Sequence, residues 1–269
     1  MTRTIDKAVI LAAGLGNRIS AVSRDTPKPL LPLDGKPGSP CFLDWHLRCL
    51  AAAGAKEIFL VGNKVTFGRR LQAMEQVHAE WILNPTDDLS TSGSGHSAWY
   101  AWHSEHRILD GRSRVVLMDA DILYDPKLLR LLAEAPGERS KTLVCRDFRE
   151  TNEEVLVFGR EGRPLWHGKG LSGTPMLEGL DCLGEATGIL LFEPGDHAAL
   201  LAANDWIIRY GTTKTRAEHE DVTQLMMRMS RMDAVTFGSE LAFMECDTPE
   251  EYELLTREVY PRLAGSVSA

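Results

Sequence analysis

The run Lys7-Ala8-Val9-Ile10-Leu11 constrains this chain most, because it is short and apolar and passes at once into Ala12-Ala13-Gly14-Leu15-Gly16. Such a run reads as a buried strand opening into a loop. Glu57–Val61 and Arg114–Met118 repeat the pattern, and Phe42–Ala53 and Ser97–His106 read as helices between them. Strands that alternate with helices imply a mostly parallel sheet. Beyond Lys141–Arg146 the character changes: Val155–Phe158 and Pro164–His167 flank the turn residues Arg160-Glu161-Gly162. That pattern predicts a small antiparallel insertion rather than a second domain. Ala186–Phe192 resumes the buried-strand pattern, Asp221–Met229 and Pro249–Val259 read as helices, and Gly265–Ala269 is expected to fray. The expectation is one α/β domain over residues 1–264.

Composition narrows the class. Of 269 residues, 43% are hydrophobic and 25% charged, which is ordinary for a chain with a sizeable core. The net charge of −8 argues against nonspecific nucleic-acid binding, whose footprint is usually basic. Cys41, Cys49, Cys145, Cys182 and Cys246 are odd in number and form no C-x-x-C pair, so neither a disulfide framework nor a zinc site is suggested. No apolar run reaches membrane-spanning length, and Ala8–Ala13 is too short for a signal peptide. The expected setting is the cytoplasm, with no membrane partner.

The first loop reads Leu11-Ala12-Ala13-Gly14-Leu15-Gly16-Asn17-Arg18 and continues to Thr26-Pro27-Lys28-Pro29-Leu30. Glycines let backbone N–H groups approach phosphates closely, and Arg18 and Lys28 are placed to neutralise a pyrophosphate. The dinucleotide and P-loop spacings are both absent. The whole stretch resembles the signature of the sugar-1-phosphate and phosphocholine nucleotidyltransferases, L-A-A-G-x-G-x-R followed by P-K-P-L. That resemblance implies a Rossmann-like nucleotidyltransferase fold with a mixed, mainly parallel sheet. It also implies that the loop from Leu11 through Ala12, Ala13, Gly14, Gly16 and Asn17 holds a triphosphate, with Arg18 and Lys28 on its phosphates.

Val115-Val116-Leu117-Met118-Asp119-Ala120-Asp121 puts two carboxylates just past an apolar strand, where open α/β sheets bind their ligands. Alternation lets Asp119 and Asp121 share a face, and carboxylate oxygens suit Mg²⁺ held together with phosphates. By resemblance Asp121 is the metal ligand and Asp119 supports the nucleotide. Glu245-Cys246-Asp247-Thr248-Pro249-Glu250-Glu251 reads equally as a helix entry capped by Asp247. The segment is also similar to the E-x-D-T-P-E-D ending of the cytidylyltransferase branch, which implies that Glu245 and Asp247 complete the metal site.

Other features are less specific. Asn84-Pro85 and Ser92-Gly93-Ser94-Gly95-His96-Ser97 resemble the place where the family holds its nucleobase, which makes Asn84, Ser92, Ser94 and Ser97 candidates; the serine stretch reads equally as a loop and helix cap. Lys169 and Glu185 lie in segments resembling those around the acceptor, and Lys169 reads equally as a solvated hairpin lysine. Glu220-Asp221 resembles the family's acidic step near the acceptor, which points to Asp221, although the tryptophan of that step is missing here. Trp166, Trp206 and Tyr210 offer aromatic faces for a cationic acceptor.

The resemblance implies transfer of CMP from CTP to a small phosphate- or phosphonate-bearing acceptor such as phosphocholine or an aminoalkyl- or hydroxyalkylphosphonate. Lys169 and Asp221 join Arg18 and Lys28 in the expected catalytic set. The alternatives are a sugar- or inositol-phosphate nucleotidyltransferase using CTP or UTP, and a nucleotide-binding regulatory protein without turnover.

Overall fold

A computed structural model describes residues 3–14, 19, 22, 26–148, 154–211 and 216–267. Strand β1 (Lys7–Ala12) is buried along its whole length. It pairs in parallel with β2 (Glu57–Gly62) on one side and β4 (Val115–Asp119) on the other, with Val9 opposite both Phe59 and Leu117. A strand enclosed on both faces needs an unbroken apolar run, and that is why its sequence does not alternate with polar residues. Its side chains still alternate in direction: Ala8, Ile10 and Ala12 enter one core cluster, and Val9 and Leu11 the other.

Strand β3 (Glu80–Leu83) extends the sheet beyond β2. On the other flank β9 (Asp181–Phe192) runs antiparallel between β4 and β6 (Ser140–Cys145), and β10 (Met232–Phe237) closes the edge in parallel with β6. The expected antiparallel insertion is the hairpin of β7 (Leu156–Arg160) and β8 (Arg163–Gly168). It joins the sheet through the outer part of β9, where Leu156 faces Glu185. Strand β9 therefore begins at Asp181, earlier than its apolar run, because its first residues face the hairpin and not the core. Among the described residues, nine strands make one mixed, mainly parallel sheet, in the order β10-β6-β9-β4-β1-β2-β3 with the hairpin off its path.

One face of the sheet is covered by helix α1 (Phe42–Ala52) and the C-terminal helices, the other by α2 (Ser94–Trp102), α4 (His197–Tyr210) and α5 (His219–Arg228). Helix α3 (Lys127–Glu134) lies between β5 (Ile122–Tyr124) and β6. The helix expected over Pro249–Val259 is α6 (Pro249–Leu254) followed by a widened π turn (Leu255–Val259). Of the stretch expected to fray, Ser266 donates its amide to Leu263 O at 2.8 Å and Val267 packs against the core; Ser268 and Ala269 lie outside the described residues.

At the sheet edge opposite the carboxyl end of β1, the Glu193 carboxylate accepts from Arg114 Nη2 at 2.8 Å and from Lys141 Nζ at 3.0 Å, and the Lys141 side chain is wholly buried. Burial alone would raise the Glu193 carboxyl, but the hydrogen bonds from Arg114 and Lys141 hold it below its ordinary value. Removing one member of such a cluster leaves its partners buried and uncompensated, so Glu193→Ala is expected to cost about 3–5 kcal/mol. Because the folded-state value is depressed, this contribution is present above the unfolded value of about 4.3 and is lost as pH falls through the folded one. Urea titrations from pH 7 downward check both points: a Glu193→Gln protein that lost stability with acid as steeply as the parent would contradict the second.

Candidate active site

The carboxyl ends of β1 and β4 emerge side by side, with Leu11 opposite Asp119. Directly after β4 the chain turns into β5, which pairs antiparallel with β11 (Phe243–Glu245), setting Glu245 opposite Ile122. Cys246 N donates to Asp121 O at 3.0 Å and extends that ribbon by one step. Asp121, Glu245 and Asp247 consequently each place a carboxylate oxygen within 4.8 Å of the others, an arrangement that can hold a metal ion. The same place receives Lys28, whose Nζ donates to Asp121 Oδ2 at 2.6 Å and Asp247 Oδ1 at 2.7 Å.

Lys28 is buried at the start of a short 3₁₀ turn, Lys28–Leu30. Burial alone would lower its ammonium, yet Asp121 and then Asp247 raise it well above its usual value. For Glu245 the Lys28 charge is outweighed. Desolvation in the cleft, then the charges of Asp121 and Asp247, push its carboxyl up to about 9. The C-terminal segment is tied to the Lys28 segment by Tyr252 Oη, which donates to Pro32 O at 2.6 Å. Thr248 caps α6 by accepting from Glu251 N at 3.2 Å, so Thr248, not Asp247, is the capping residue. The side chain of Asp247 is left to the cleft.

Leu11, Ala13, Gly14, Lys28, Ser92, Ser94, Ser97, Asp119, Asp121, Lys169, Glu245 and Asp247, all singled out in the sequence, line one cavity of about 470 Å³. Ala12 is not in its wall; its carbonyl accepts from Thr66 Oγ1 at 3.1 Å, and Asn63 Nδ2 donates to Ala13 O at 2.9 Å, so the loop entry is pinned from β2's end. Asn84 is likewise a support: its buried amide reaches Ser92 Oγ at 2.9 Å and Ser97 Oγ at 3.1 Å, fixing two wall residues. Gly16, Asn17 and Arg18 lie outside the described residues.

The opposite wall comes from the start of α5. Glu220, together with His219 and Glu218, faces the cavity; Asp221 does not line it. Asp221 sits in the first turn of α5 and accepts from Glu218 N at 3.1 Å, closing a capping box. An acid three residues after the N-cap is the signal that could have made this assignment. Glu185 also lies outside the wall; desolvation and then Glu154 raise its carboxyl to about 7, while Lys169 opposes the shift. Trp166 packs under the Arg228 guanidinium at 3.9 Å, and Trp206 and Tyr210 are exposed on α4. No Phe, Tyr or Trp among the described residues lines the cavity.

A second cavity of about 60 Å³ opens off the first and shares Asp119, Lys169, His219, Glu220 and Glu245 with it. Its inner wall includes His167, Thr142, Thr187 and Thr223. Gly188, at φ +70, lies against Asp119, and a Cβ there would fall on the Asp119 carboxylate. Only glycine adopts that backbone freely and leaves the acid its room.

Fold and site can now be set beside known proteins. Across 100% of both chains the structure superposes on that of the inositol-1-phosphate CTP transferase from T. maritima with a TM-score of 0.72 at 18% identity, so the two share a fold. Residues 8–174 match the model of the MobA-like NTP transferase domain, and the chain belongs to that family. It is 35% identical over 159 residues to a CMP-5'-(3-aminopropyl)phosphonate synthase of Streptomyces rubellomurinus, a match covering 58% of this chain and 23% of that protein. Over 93 residues it is 44% identical to an N-acetylmuramate alpha-1-phosphate uridylyltransferase of Neisseria meningitidis serogroup B, covering 32% of this chain and 38% of that one. The chain thus spans well under half the length of these relatives. Among the described residues no helix is long and apolar enough to cross a membrane.

The wall formed by α2 depends on a close approach. Gly95 N donates to Ala217 O at 2.9 Å, and a Cβ on Gly95 would stand 2.7 Å from that oxygen. Alanine in a helix normally gains about 0.5–1 kcal/mol over glycine. Here the sign is expected to reverse, with Gly95→Ala lowering stability by about 2 kcal/mol as α2 is pushed from the Glu218 segment. Denaturant unfolding measures it directly, and a stabilised Gly95→Ala protein would contradict the packing described.

Proposed function

We propose that this protein is a nucleotidyltransferase that moves CMP from CTP onto a small acceptor bearing a phosphate or phosphonate. The observation that carries the reading is the shared cavity, in which the loop after β1, the Lys28 ammonium, the Asp121–Glu245–Asp247 carboxylates and Lys169 face one space. Anion-binding groups on two sides of an acidic cluster suit two phosphorylated substrates brought together. Family membership supports nucleotide triphosphate chemistry, and the phosphonate-acting relative supports the cytidylyl donor. The uridylyltransferase relative favours a second reading, UTP with a sugar phosphate.

The transfer needs little acid–base help. A phosphate monoester has a second pKa near 6, so at neutral pH the acceptor oxygen is already anionic. That oxygen attacks the α-phosphorus of the triphosphate and a new P–O bond forms. The bond from the α-phosphorus to the bridging oxygen breaks, and its electron pair leaves with pyrophosphate. The chain's work is positioning and charge compensation. Gly14 and the loop backbone hold the triphosphate, Ser92, Ser94 and Ser97 border the nucleobase, and Lys169 meets the acceptor anion. Lys28, kept protonated between Asp121 and Asp247, offsets charge on the phosphates.

Three carboxylates in reach of one point, two of them bonded to the Lys28 ammonium, fit a hard divalent cation. Asp121, Glu245 and Asp247 would hold Mg²⁺, which when bound supplies Lewis-acid neutralisation of phosphate charge.

Pyrophosphate release from CTP and UTP, with phosphocholine, aminoalkyl- and hydroxyalkylphosphonates, inositol 1-phosphate and glucose 1-phosphate as acceptors, tests the assignment. CTP with a small acceptor is expected to be fastest; faster turnover of UTP with a sugar phosphate would replace this reading by the second. Lys28→Ala should lower kcat by about a hundredfold with a smaller change in KM, because its charge matters most as the leaving group departs. Asp121→Asn should weaken Mn²⁺ binding, read by electron paramagnetic resonance without substrates, and unaltered binding would remove Asp121 from the metal set.

A further inference from the structure

The small side cavity joins an apolar wall to polar groups that mostly offer lone pairs. His167, 92% buried and set in β8, has its Nε2 at 2.8 Å from the backbone oxygen of Glu220. A carbonyl can only accept, so Nε2 carries the hydrogen. Burial keeps the imidazole neutral by lowering its pKa. Nδ1 is therefore a bare lone pair, and it finds no partner among the described residues. Thr187 Oγ1 donates to Leu143 O at 3.0 Å and Thr223 Oγ1 to His219 O at 2.9 Å, so each hydroxyl offers only its lone pairs to the cavity. Asp119 and Glu220 add carboxylates.

The cations nearby are committed or sit at the mouth. His219 Nδ1 lies 3.0 Å from Ser94 Oγ, and since that hydroxyl donates to Glu218 Oε2 at 2.7 Å it accepts from the imidazole. His219 Nδ1 also stands 3.1 Å from Glu220 Oε2, and Nε2 faces Asp119 Oδ2 at 3.7 Å, so one imidazole is shared between the two carboxylates. Lys169 is exposed and borders both cavities. Ile122, Val155, Ala186 and Leu190 supply apolar wall between the polar groups.

We propose that this side cavity takes a primary ammonium group carried by the acceptor, whose N–H donors meet His167 Nδ1 and the carboxylates of Asp119 and Glu220. The inference rests on the nucleotidyl-transfer reading and narrows its acceptor to an aminoalkyl phosphate or phosphonate. Three further observations favour it. A lone pair buried without a donor costs about 1–3 kcal/mol, and an occupant with several N–H groups removes that cost. The volume of about 60 Å³ equals about two water molecules, room for an ammonium and its methylene. A trimethylammonium group has no N–H to offer and binds best over Trp, Tyr or Phe faces, and none of these three residue types lines either cavity among the described residues. Lys169, common to both cavities, then stands where the acceptor's anionic end enters the larger one.

The test uses pairs of acceptors identical in shape but differing in the donor: 2-aminoethylphosphonate against n-propylphosphonate, and 3-aminopropylphosphonate against n-butylphosphonate. Pyrophosphate release from CTP gives kcat/KM for each, and titration calorimetry gives affinity without turnover. At least one amine is expected to exceed its alkyl partner by about 10- to 100-fold in both measurements, the range for hydrogen bonds to charged groups. That ratio should collapse toward unity in Glu220→Gln and in His167→Phe. Taking the ratio within each variant cancels any loss of folded protein. Equal values for both pairs in the parent, or ratios untouched in both variants, overturn the proposal. If no acceptor releases pyrophosphate, the nucleotidyl-transfer reading has failed, and the calorimetric ratio still decides whether the cavity selects an ammonium.

Discussion

Two carboxylates from distant parts of the chain meet on one ammonium, and the remainder of the site is arranged around that meeting. At 4 Å, like charges in a partly buried setting repel by about 4 kcal/mol. Asp121, Asp247 and Glu245 bring carboxylate oxygens within 4.8 Å of one another, and the Lys28 ammonium between Asp121 and Asp247 offsets that repulsion by two charge-assisted hydrogen bonds. The pairing of β5 with β11 supplies the backbone half of the same junction, and the Tyr252 bond to Pro32 holds the two segments from behind. A loop near the start of the chain, the end of a central strand and a C-terminal ribbon are thereby joined at one point.

The cleft around that junction is asymmetric. On the side of β1 and α2 the wall is backbone, serine and glycine, with little charge; on the side of β9 and α5 it is crowded with acids and histidines. The first wall offers amides and hydroxyls to a large, multiply charged ligand. The second offers lone pairs in a tight space. Burial and its neighbours raise the Asp119 carboxyl to about 7 despite His219, so this wall is polarised before any ligand arrives. Such preorganisation is the form in which electrostatic assistance costs no rearrangement at the moment of reaction.

Much of this was legible in the sequence, and the reasons differ by element. The β1 run and the Val115–Asp119 run were readable because a strand buried on both faces must be continuously apolar. The hairpin announced itself through its turn residues. Asp121, Glu245 and Asp247 were flagged by resemblance, yet that they share one point depends on the register of β5 with β11, which has no local signal. The resemblance of Glu220-Asp221 to an acidic step points to Asp221, but which of the two adjacent acids faces the cavity follows from the capping geometry at Glu218, which the resemblance does not carry. His167 was unreadable: a lone histidine in an exposed-looking hairpin gives no hint that α5 will bury it. Asn84 was found for its neighbourhood but acts through Ser92 and Ser97.

The β7–β8 hairpin has a small apolar cluster of its own, Leu156, Phe158 and Leu177 with Trp166 and Leu171 packed on it, separate from the two clusters flanking the main sheet. Substitutions far apart and without shared partners act nearly additively on stability. Substitutions within that small cluster are therefore expected to act apart from the core beside the loop after β1, whereas Val157 of β7 enters one of the flanking clusters and does not share this freedom. His167, near the end of β8, is instead tied to α5 through Gln224 and Glu220, and Lys169 follows just past the strand. On such a scaffold the hairpin's own cluster is where differences between related chains would accumulate first, because changes there leave the sheet's two flanking cores intact.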